Sequence, residues 1–244
     1  MKGGGVNIVV PFRQQVGIDR QEHLRIFLDR GIDRIVCAVP DCPVTVTVAC
    51  QPQSSRKFNR GALLNAGAKW AHDAFGAQTI WLHDVDLIPS PHVARLYHGA
   101  VEHGTADHLG SCWGRYSGQG FVGGVLGVDW DTFTQCNGFP NNYEGWGGED
   151  DEHYRRMLRC GVRIVRVAKD ADHFYEDLEK MTLDEKLSFL RTHREQKNMK
   201  KWEGKEAHQS TWETNGVNQF CAPVRPTSTR TSGRVTVTYL DVHI

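Results

Sequence analysis

The chain has 244 residues, and its 29 acidic and 29 basic side chains cancel to a formal net charge of zero. This length is enough for one α/β domain or two small ones, and the balanced charge gives no global field that would favour nucleic acid or an anionic membrane. The sequence contains neither a bilayer-spanning apolar run nor a signal peptide. Seven cysteines lack the paired spacing of a zinc site or redox motif, so we expect most to be small apolar residues.

The first half of the chain alternates predicted strands and helices. Strands are predicted where β-branched residues run together, and helices where apolar residues recur at helical spacing behind a capping residue. The predicted strands are residues 6–12, 34–39, 44–50 and 80–86. The predicted helices are residues 19–31, with Asp19 and Glu22 as a capping box and Gly31 as the end, and residues 58–75.

The second half is less regular. Glycine-rich residues 118–133 lead into a short strand and helix, and a long loop leads into a helix that begins on Glu149 and ends near Gly161. Residues 162–167 and 234–244 are predicted strands, and residues 181–204 are a predicted helix with a Thr182–Glu185 capping box. The alternation predicts an α/β fold with a mainly parallel sheet covered by helices on both faces.

Two acids end the predicted strand at residues 80–86, which begins the stretch "IWLHDVDLIPS" from Ile80 to Ser90. Side chains alternate faces along a strand, so Asp84 and Asp86 point the same way while Val85 points back. Burying two like charges side by side is unfavourable unless a divalent cation, an arginine cluster or ligand hydroxyl groups neutralise them. A solvated strand end is the simpler alternative, but the long apolar run before the acids favours a site. Ligands of such sheets bind beyond the carboxyl ends of the strands.

A second acidic segment, "GWGGEDD", adds three carboxylates at a predicted helix start. Glu149, Asp150 and Asp151 could simply complement the helix dipole, and in isolation that is the better explanation. The neighbouring glycines, however, allow the backbone to approach a ligand closely. Trp146 between them offers an aromatic face on which a sugar ring can stack. His173 is either a surface histidine or a metal ligand.

Seven segments between about Asn7 and Asn218 resemble the β-1,4-galactosyltransferase family in sequence and in order. They are "NIVVPFR", "RQEHL", "FNRGALLNAG", "HDVDLIP", "FVGGVLGV", "NGFPNNYEGWGGEDDE" and "TNGVN". The resemblance implies a single GT-A catalytic domain over residues 1–244, with its nucleotide-binding part at about 5–90 and its acceptor and metal part at about 91–244. It implies an inverting transfer of galactose from UDP-galactose to a sugar hydroxyl, dependent on Mn²⁺ or another divalent cation.

The resemblance also assigns roles to individual residues. Asp150 is the implied general base, and Asp86 and His173 are the implied metal ligands. The implied donor and nucleotide contacts are Pro11, Phe12, Arg13, Arg20, Phe58, Arg60, Asp84, Val85, Phe121, Gly124 and Trp146. The implied acceptor contacts are Trp146, Gly148, Glu149, Asp150 and Asp151. Phe121 has the place of an aromatic residue that excludes the N-acetyl group of GalNAc.

The sequence departs from the family at three places. The insertion "QQVGID" separates Arg13 from Arg20, which leaves open whether Arg20 reaches the nucleotide. Glu144 stands where the family usually has tryptophan. His173 is preferred over His193 as metal ligand because the capping box places His193 within a helix, and Asp170 or Asp172 is its expected partner.

Two alternatives remain at this point. The same fold could use another UDP-sugar, with GalNAc, GlcNAc or glucose, or the chain could be a sugar-binding relative without turnover. The expected partners are a UDP-sugar and a glycan or glycoconjugate acceptor, with no nucleic acid and no membrane segment. The expected location is cytoplasmic if the chain is complete, or the Golgi lumen if an N-terminal anchor was removed.

Overall fold

An eight-stranded sheet runs through the structure, a computed structural model that describes residues 5–54, 56–118, 120–197 and 211–244. A separate two-stranded ribbon lies beside the sheet. The strands are β1 (Val6–Phe12), β2 (Val44–Cys50), β3 (Thr79–His83), β4 (Leu87–Pro89), β5 (Thr105–His108), β6 (Val125–Asp129), β7 (Arg163–Arg166), β8 (Tyr175–Asp177), β9 (Val224–Ser232) and β10 (Val235–Val242).

The helices connect these strands. They are α1 (Arg20–Ile26), α2 (Ile32–Ala38), α3 (Arg60–Phe75), α4 (Pro91–Arg95), α5 (Trp130–Gln135), α6 (Glu149–Arg159) and α7 (Leu183–Thr192). A π-helical turn, Phe27–Gly31, joins α1 to α2. Within the described part of the chain, every helix is too short or too polar to span a membrane.

The sheet has the order β7-β5-β6-β3-β1-β2-β10-β9. Its centre is parallel, because β1 pairs in parallel with β2 and β3, and β2 pairs in parallel with β10. Strand β6 lies antiparallel between β3 and β5, and β9 forms an antiparallel edge. The predicted α/β class with a mainly parallel central sheet is therefore confirmed.

Alternate residues of β1 face opposite sides of the sheet, as strand geometry requires. Ile8 and Val10 belong to a buried cluster that includes Phe27 and Ile35 from the α1–α2 region. Val9 belongs to a second cluster that contains residues of α3. Helices thus cover both faces of the central strands, and the core lies on either side of the sheet.

The predicted strand at residues 34–39 is wrong, because this segment lies largely in helix α2. Ile32, Ile35 and Val39 recur at helical spacing and are buried. Gly31 does not end the helix either: its φ is −68°, and a Cβ there would come within 2.8 Å of the Phe27 ring. Packing against the sheet therefore overrides the β-branched composition of this segment.

The C-terminal region differs from the prediction in two ways. The predicted helix from residue 181 ends at Thr192, with His193 as its C-cap, and residues 198–204 of that prediction lie outside the described residues. The capping box of Thr182 and Glu185 is confirmed. The predicted terminal strand is present as β10, but its partner β9 was not predicted, because eight of its nine residues are exposed and lack apolar alternation.

The ribbon of β4 and β8 positions the segment that follows Asp86. Leu87 pairs with Asp177 and Pro89 with Tyr175, and the Leu178 backbone N–H donates to the Asp86 carbonyl at 2.8 Å. Residues after β8 are thereby brought next to the end of β3, although they lie far along the chain.

Candidate active site

A cleft with a volume of about 680 Å³ opens beyond the carboxyl ends of β1 and β3. This is the edge of an α/β sheet at which ligands bind. Most of the predicted site residues line it: Pro11, Phe12, Arg13, Arg20, Phe58, Arg60, Asp84, Val85, Asp86, Phe121, Trp146, Gly148, Glu149, Asp150 and Asp151. Two predicted residues, Gly124 and His173, are not among the lining residues.

The glycine-rich segment before α6 brings its acids into the cleft. Gly147 and Gly148 have φ values of 106° and 100°, a conformation that favours glycine, and Gly148 is the N-cap of α6. The first helical turn therefore presents Glu149 and Asp150 where the helix dipole favours negative charge. Trp146 is 38% exposed, so its indole is accessible beside these acids.

Arg60 joins the two groups of acids. This first residue of α3 contacts Asp84 Oδ1 through Nε at 2.7 Å and Asp150 Oδ1 through Nη1 at 2.7 Å. Glu149 Oε1 lies 3.6 Å from the same Nη1, and the Tyr116 hydroxyl donates to Asp84 Oδ2 at 3.1 Å. The resemblance implies ligand contacts for Arg60 and Asp84, and in this structure the two side chains contact each other.

Burial makes Glu149 and Asp150 weaker acids than usual. Burial, followed by the neighbouring Asp150, raises the pKa of Glu149 to about 8. Burial also raises the pKa of Asp150, but the guanidinium of Arg60 opposes that shift. Asp150 has the shorter contact with Arg60, at 2.7 Å, which favours its carboxylate form over that of Glu149. Of the two, Asp150 is the better candidate for a proton acceptor near neutral pH.

Three cations surround the carboxylates near Asp86, and we call Arg20, Arg115 and Lys186 the basic cluster. Arg20 Nη1 lies 2.9 Å from Asp86 Oδ2, and its other terminal nitrogen contacts Glu179. Arg115 Nη1 lies 2.7 Å from Glu179 Oε2, and Lys186 Nζ lies 2.7 Å from Glu179 Oε1. Strand β3 ends at His83, so Asp84 and Asp86 lie in the turn after it and not within the strand as predicted. Arginines neutralise both acids: Arg60 at Asp84, and Arg20 with Arg115 at Asp86.

The insertion before Arg20 does not keep this residue away from the cleft. Gln15 and Ile18 form a short antiparallel bridge within the inserted segment. The Arg20 Nε also donates to the Gln15 side chain at 2.9 Å. The insertion therefore folds back on itself, and the Arg20 guanidinium lines the cleft.

The structure does not bring His173 to Asp86. The Asp86 carbonyl and the Phe174 carbonyl accept hydrogen bonds at opposite ends of the ribbon, from Leu178 and Ser90 respectively. Phe174 and Leu178 lie four residues apart along the ribbon, which is about 13 Å of backbone at ~3.3 Å per residue, and His173 lies beyond Phe174. His173 instead contacts Asp170 Oδ2 at 2.7 Å. His193 stacks on Phe189 and is likewise not among the residues that line the cleft.

The residues of the cleft do not fit a divalent cation as they stand. Asp86 is the single predicted ligand that lines the cleft, and two guanidinium groups already contact it. In the described part of the chain, one group of three acidic or imidazole ligands lies close enough to share an ion: His103, Asp129 and Asp131. Asp129 pairs with Thr79 at the start of β3. That group therefore lies at the amino end of β3, whereas the cleft lies at its carboxyl end.

Four of the cleft residues that were not predicted take part in the contacts described above. They are Arg115, Tyr116, Glu179 and Lys186. A signal exists for one of them: Asp177 and Glu179 repeat, at the end of a strand, the spacing of Asp84 and Asp86. Arg115 and Tyr116 lie in a loop without periodicity, and Lys186 occurs in a polar helix, so their burial follows from tertiary packing alone.

Comparisons with known proteins agree with these motifs. A family model described as "N-terminal domain of galactosyltransferase" matches residues 108–179. The mouse β-1,4-galactosyltransferase 6 is 31% identical over 169 residues, which are 68% of this chain and 41% of the relative. The β-1,4-galactosyltransferase 7 of Drosophila melanogaster is 38% identical over 111 residues, 45% of this chain and 34% of the relative. The chain therefore spans less than half the length of these curated relatives.

The fold leads to the same group of proteins. The catalytic domain of Drosophila β-1,4-galactosyltransferase 7, in complex with xylobiose, superposes with a TM-score of 0.74 at 25% identity. The match covers 99% of this chain and 94% of that structure. Motifs, sequence identity and fold agree over this range, and the chain belongs to the β-1,4-galactosyltransferase family.

Proposed function

We propose that this chain is a hexosyltransferase that moves galactose from UDP-galactose to a sugar hydroxyl, with inversion at the anomeric carbon. The observation that carries this proposal is the cleft in which the acids that follow β3 and the acids of α6 meet beside an exposed indole. Curated relatives of this chain are galactosyltransferases. A sugar-binding relative without turnover would need neither a positioned base nor a cationic site for a leaving group.

Asp150 is the proposed general base. It takes the proton of the acceptor hydroxyl while that oxygen bonds to the anomeric carbon and the bond from carbon to UDP breaks. Inversion by direct displacement needs one such base, and a pKa raised toward the working pH makes a carboxylate a better proton acceptor. Glu149, protonated near neutral pH, can donate a hydrogen bond to a sugar hydroxyl.

The walls of the cleft divide into a nucleotide side and a sugar side. Phe12 and Phe58 offer apolar surface for the uracil and ribose, and Trp146 offers a face for the sugar rings. The Arg13 guanidinium donates to the Arg56 carbonyl at 2.7 Å and so ties the two nucleotide-side segments together. Phe121 lines the cleft, which is compatible with its proposed role in donor choice.

The proposed acceptor and the proposed cofactor are supported by the relatives alone. A mutant of the Drosophila protein forms a complex with manganese, UDP-Gal and xylobiose, and a Caenorhabditis elegans relative is named xylosylprotein 4-beta-galactosyltransferase. A xyloside is therefore the first acceptor to test. Mn²⁺ is the ion that the family implies at Asp86, but because the surrounding residues do not fit it, no step of the proposed reaction passes through a metal.

Release of UDP from UDP-galactose tests the proposal, with and without a panel of sugar acceptors that includes a xyloside. We expect acceptor-dependent release, and Asp150→Asn should lower turnover by roughly 10²–10⁴-fold, the usual contribution of a general base. Asp73→Asn, the same change at an exposed helix position outside the cleft lining, is the control.

Two results would contradict the proposal. Near wild-type turnover in Asp150→Asn would place the base elsewhere, at Glu149 or Asp151. Binding of UDP without acceptor-dependent release from UDP-galactose, or release only from another UDP-sugar, would favour the alternatives of a sugar-binding relative or a different donor.

A further inference from the structure

Two of the seven cysteines lie at the ends of helices that the sequence spacing does not relate. Cys136 is the C-cap of α5, and Cys160 is the C-cap of α6. Both thiols are free in this structure, and Cys136 is buried whereas Cys160 is half-buried. Cys136 belongs to a buried apolar cluster, and Cys160 packs against the same cluster. The fold therefore brings two thiols from distant positions into one part of the core.

The last turn of α6 faces the segment around Cys136. Arg156 and Cys160 are four residues apart, so they lie on one face of the helix. The buried Arg156 guanidinium donates to the Asn137 carbonyl oxygen at 3.1 Å. The Cys160 thiol donates to the Gln135 carbonyl oxygen at 3.6 Å. These contacts are made to the residues on either side of Cys136, so the face that carries Cys160 is directed at that residue.

The two thiols differ in accessibility. The Cys160 side chain forms a hydrogen bond with that of Cys136. Burial, followed by the charge of Cys160 and this hydrogen bond, raises the pKa of the enclosed Cys136 thiol. Because Cys160 is partly exposed, an external reagent reaches its sulfur first. An accessible thiol beside a second thiol is the arrangement in which an attacking cysteine and a resolving cysteine form a disulfide.

We propose that Cys136 and Cys160 form a disulfide when the protein meets a small disulfide such as oxidised glutathione. The Cys160 sulfur attacks one sulfur of the reagent, the S–S bond of the reagent breaks, and the first small thiol leaves with the proton of Cys160. The Cys136 sulfur then attacks Cys160 in the mixed disulfide, and the second small thiol leaves with the proton of Cys136. The two cysteines are oxidised and the reagent is reduced to two thiols, so no other reactant is required.

The bond closes the segment that presents the acids of α6 to the cleft. Residues 137–159 lie between the two cysteines, and they include Trp146 and Asp150. A disulfide stabilises a fold mainly because it restricts the unfolded chain over the loop that it closes. Oxidation should therefore stabilise the fold that holds both side chains in place. The part of this segment in galactose transfer rests on the proposed function, whereas formation of the disulfide does not.

Peptide mapping by mass spectrometry under non-reducing conditions tests the pairing. After treatment of the native protein with oxidised glutathione, we expect a linked pair of peptides that contain Cys136 and Cys160, with the mass of two hydrogens lost. Cys160→Ser should lack this product, whereas Cys42→Ser, at another half-buried cysteine, should retain it. A Cys136 thiol that stays reduced, or that pairs with another cysteine, would overturn the inference.

Thermal melts show whether the native fold accommodates the bond. The oxidised wild type should melt about 5–10 °C above the reduced protein, as expected for a disulfide in a domain of this size. Cys136→Ala and Cys160→Ser should each have the same Tm with and without the oxidant. An equal or lower Tm in the oxidised wild type would show that the bond distorts the fold, and would contradict the inference.

The disulfide and the proposed function can fail separately. Protein that forms the Cys136–Cys160 bond but releases no UDP from UDP-galactose in either redox state would refute the proposed function and leave the disulfide standing. Acceptor-dependent release of UDP by protein in which Cys136 stays reduced would refute the disulfide alone.

Discussion

Arg60 is placed where the two acidic segments of the cleft meet. It begins α3, whose N-terminus is fixed by Asn59, since the Asn59 side chain accepts from the Ala62 N–H at 3.0 Å. The buried guanidinium contacts Asp84, which follows β3, and Asp150 from α6. Without this cation, buried carboxylates would face one another, and each would be harder to ionise.

Replacing Arg60 should therefore move the pH dependence of turnover. Arg60→Met removes the cation that opposes the raised pKa of Asp150, so that pKa should rise further. Because a base acts in its deprotonated form, the acid limb of the pH–rate profile should shift to higher pH. The profile of kcat/KM measures this, with Lys69→Met on the exposed part of α3 as control. An unchanged acid limb would show that Arg60 does not influence the pKa of the base.

Phe121 should influence donor choice through its size. Its ring lies 6.4 Å from that of Tyr116, at the wall of the cleft. If this ring excludes an N-acetyl group, wild-type protein prefers UDP-galactose to UDP-GalNAc, and Phe121→Leu raises GalNAc transfer relative to galactose transfer. The test is to measure transfer rates from both donors with both proteins. An unchanged ratio of GalNAc transfer to galactose transfer would show that Phe121 does not line the donor pocket.

At the residue scale, the acids were easier to predict than the cations that neutralise them. Asp84, Asp86 and the "GGEDD" acids follow strand ends or glycines, which are local signals. Arg115 and Lys186 carry no such signal, because an arginine or lysine in a polar segment is usually solvated. Their role depends on the approach of Glu179 to Asp86, which the sequence pattern does not reveal.

At the element scale, helix α7 holds Lys186 against the cleft. Its first turn is fixed by the capping box, in which Glu185 Oε2 accepts from the Thr182 N–H at 2.7 Å. Such boxes satisfy backbone donors that are otherwise unpaired at the start of a helix. The position of the Lys186 ammonium therefore depends on an exposed cap at the N-terminus of the same helix.

Thr182→Ala should loosen this helix start. Loss of an N-cap side chain costs about 1 kcal/mol in the free energy of unfolding. We expect a lower Tm and weaker UDP binding, because Lys186 would be less firmly placed. Differential scanning calorimetry and UDP titration measure the two effects, and Thr192→Ala at the other end of α7 is the control. A lower Tm with unchanged UDP affinity would show that the cap does not position Lys186.

Element types were predictable where local pattern and packing agree. Strand β1 and helix α3 show a buried run and helical periodicity, and both were predicted correctly. Helix α2 was predicted as a strand because its β-branched residues favour extended structure, although their spacing matches a buried helix face. In that segment composition predicts a strand and periodicity predicts a helix, and packing against the sheet favours the helix.

At the scale of the whole molecule, the sheet combines strands from both ends of the chain. The alternation of strands and helices predicts its parallel centre, but no local pattern places β10 beside β2 or adds β9. Long-range pairing of this kind depends on the assembled core. The cleft is likewise a property of the whole sheet, since its acids come from the turn after β3 and from α6.

The buried acids should also make stability depend on pH. Glu149 has a pKa of about 8 in the fold, above its ordinary value, so its contribution is fully present at low pH and is lost as pH rises through about 8. We expect the Tm to fall between about pH 4.5 and pH 8, the two pKa values of Glu149, and Glu149→Gln to reduce that fall. Thermal melts across this range test it, with exposed Glu102→Gln as control. An equal fall in Glu149→Gln would assign the effect to other groups.

The edge strand β9 has a consequence for behaviour in concentrated solution. An exposed strand edge can pair with the edge of a neighbouring molecule, which leads to aggregation. Here the strand carries Arg225 and Arg230, Pro226 lacks a backbone N–H, and the pairing with β10 shifts register between Tyr239 and Leu240. Charge, proline and irregular register all hinder such pairing. The sheet can therefore end in a long exposed strand without becoming a template for growth from one molecule to the next.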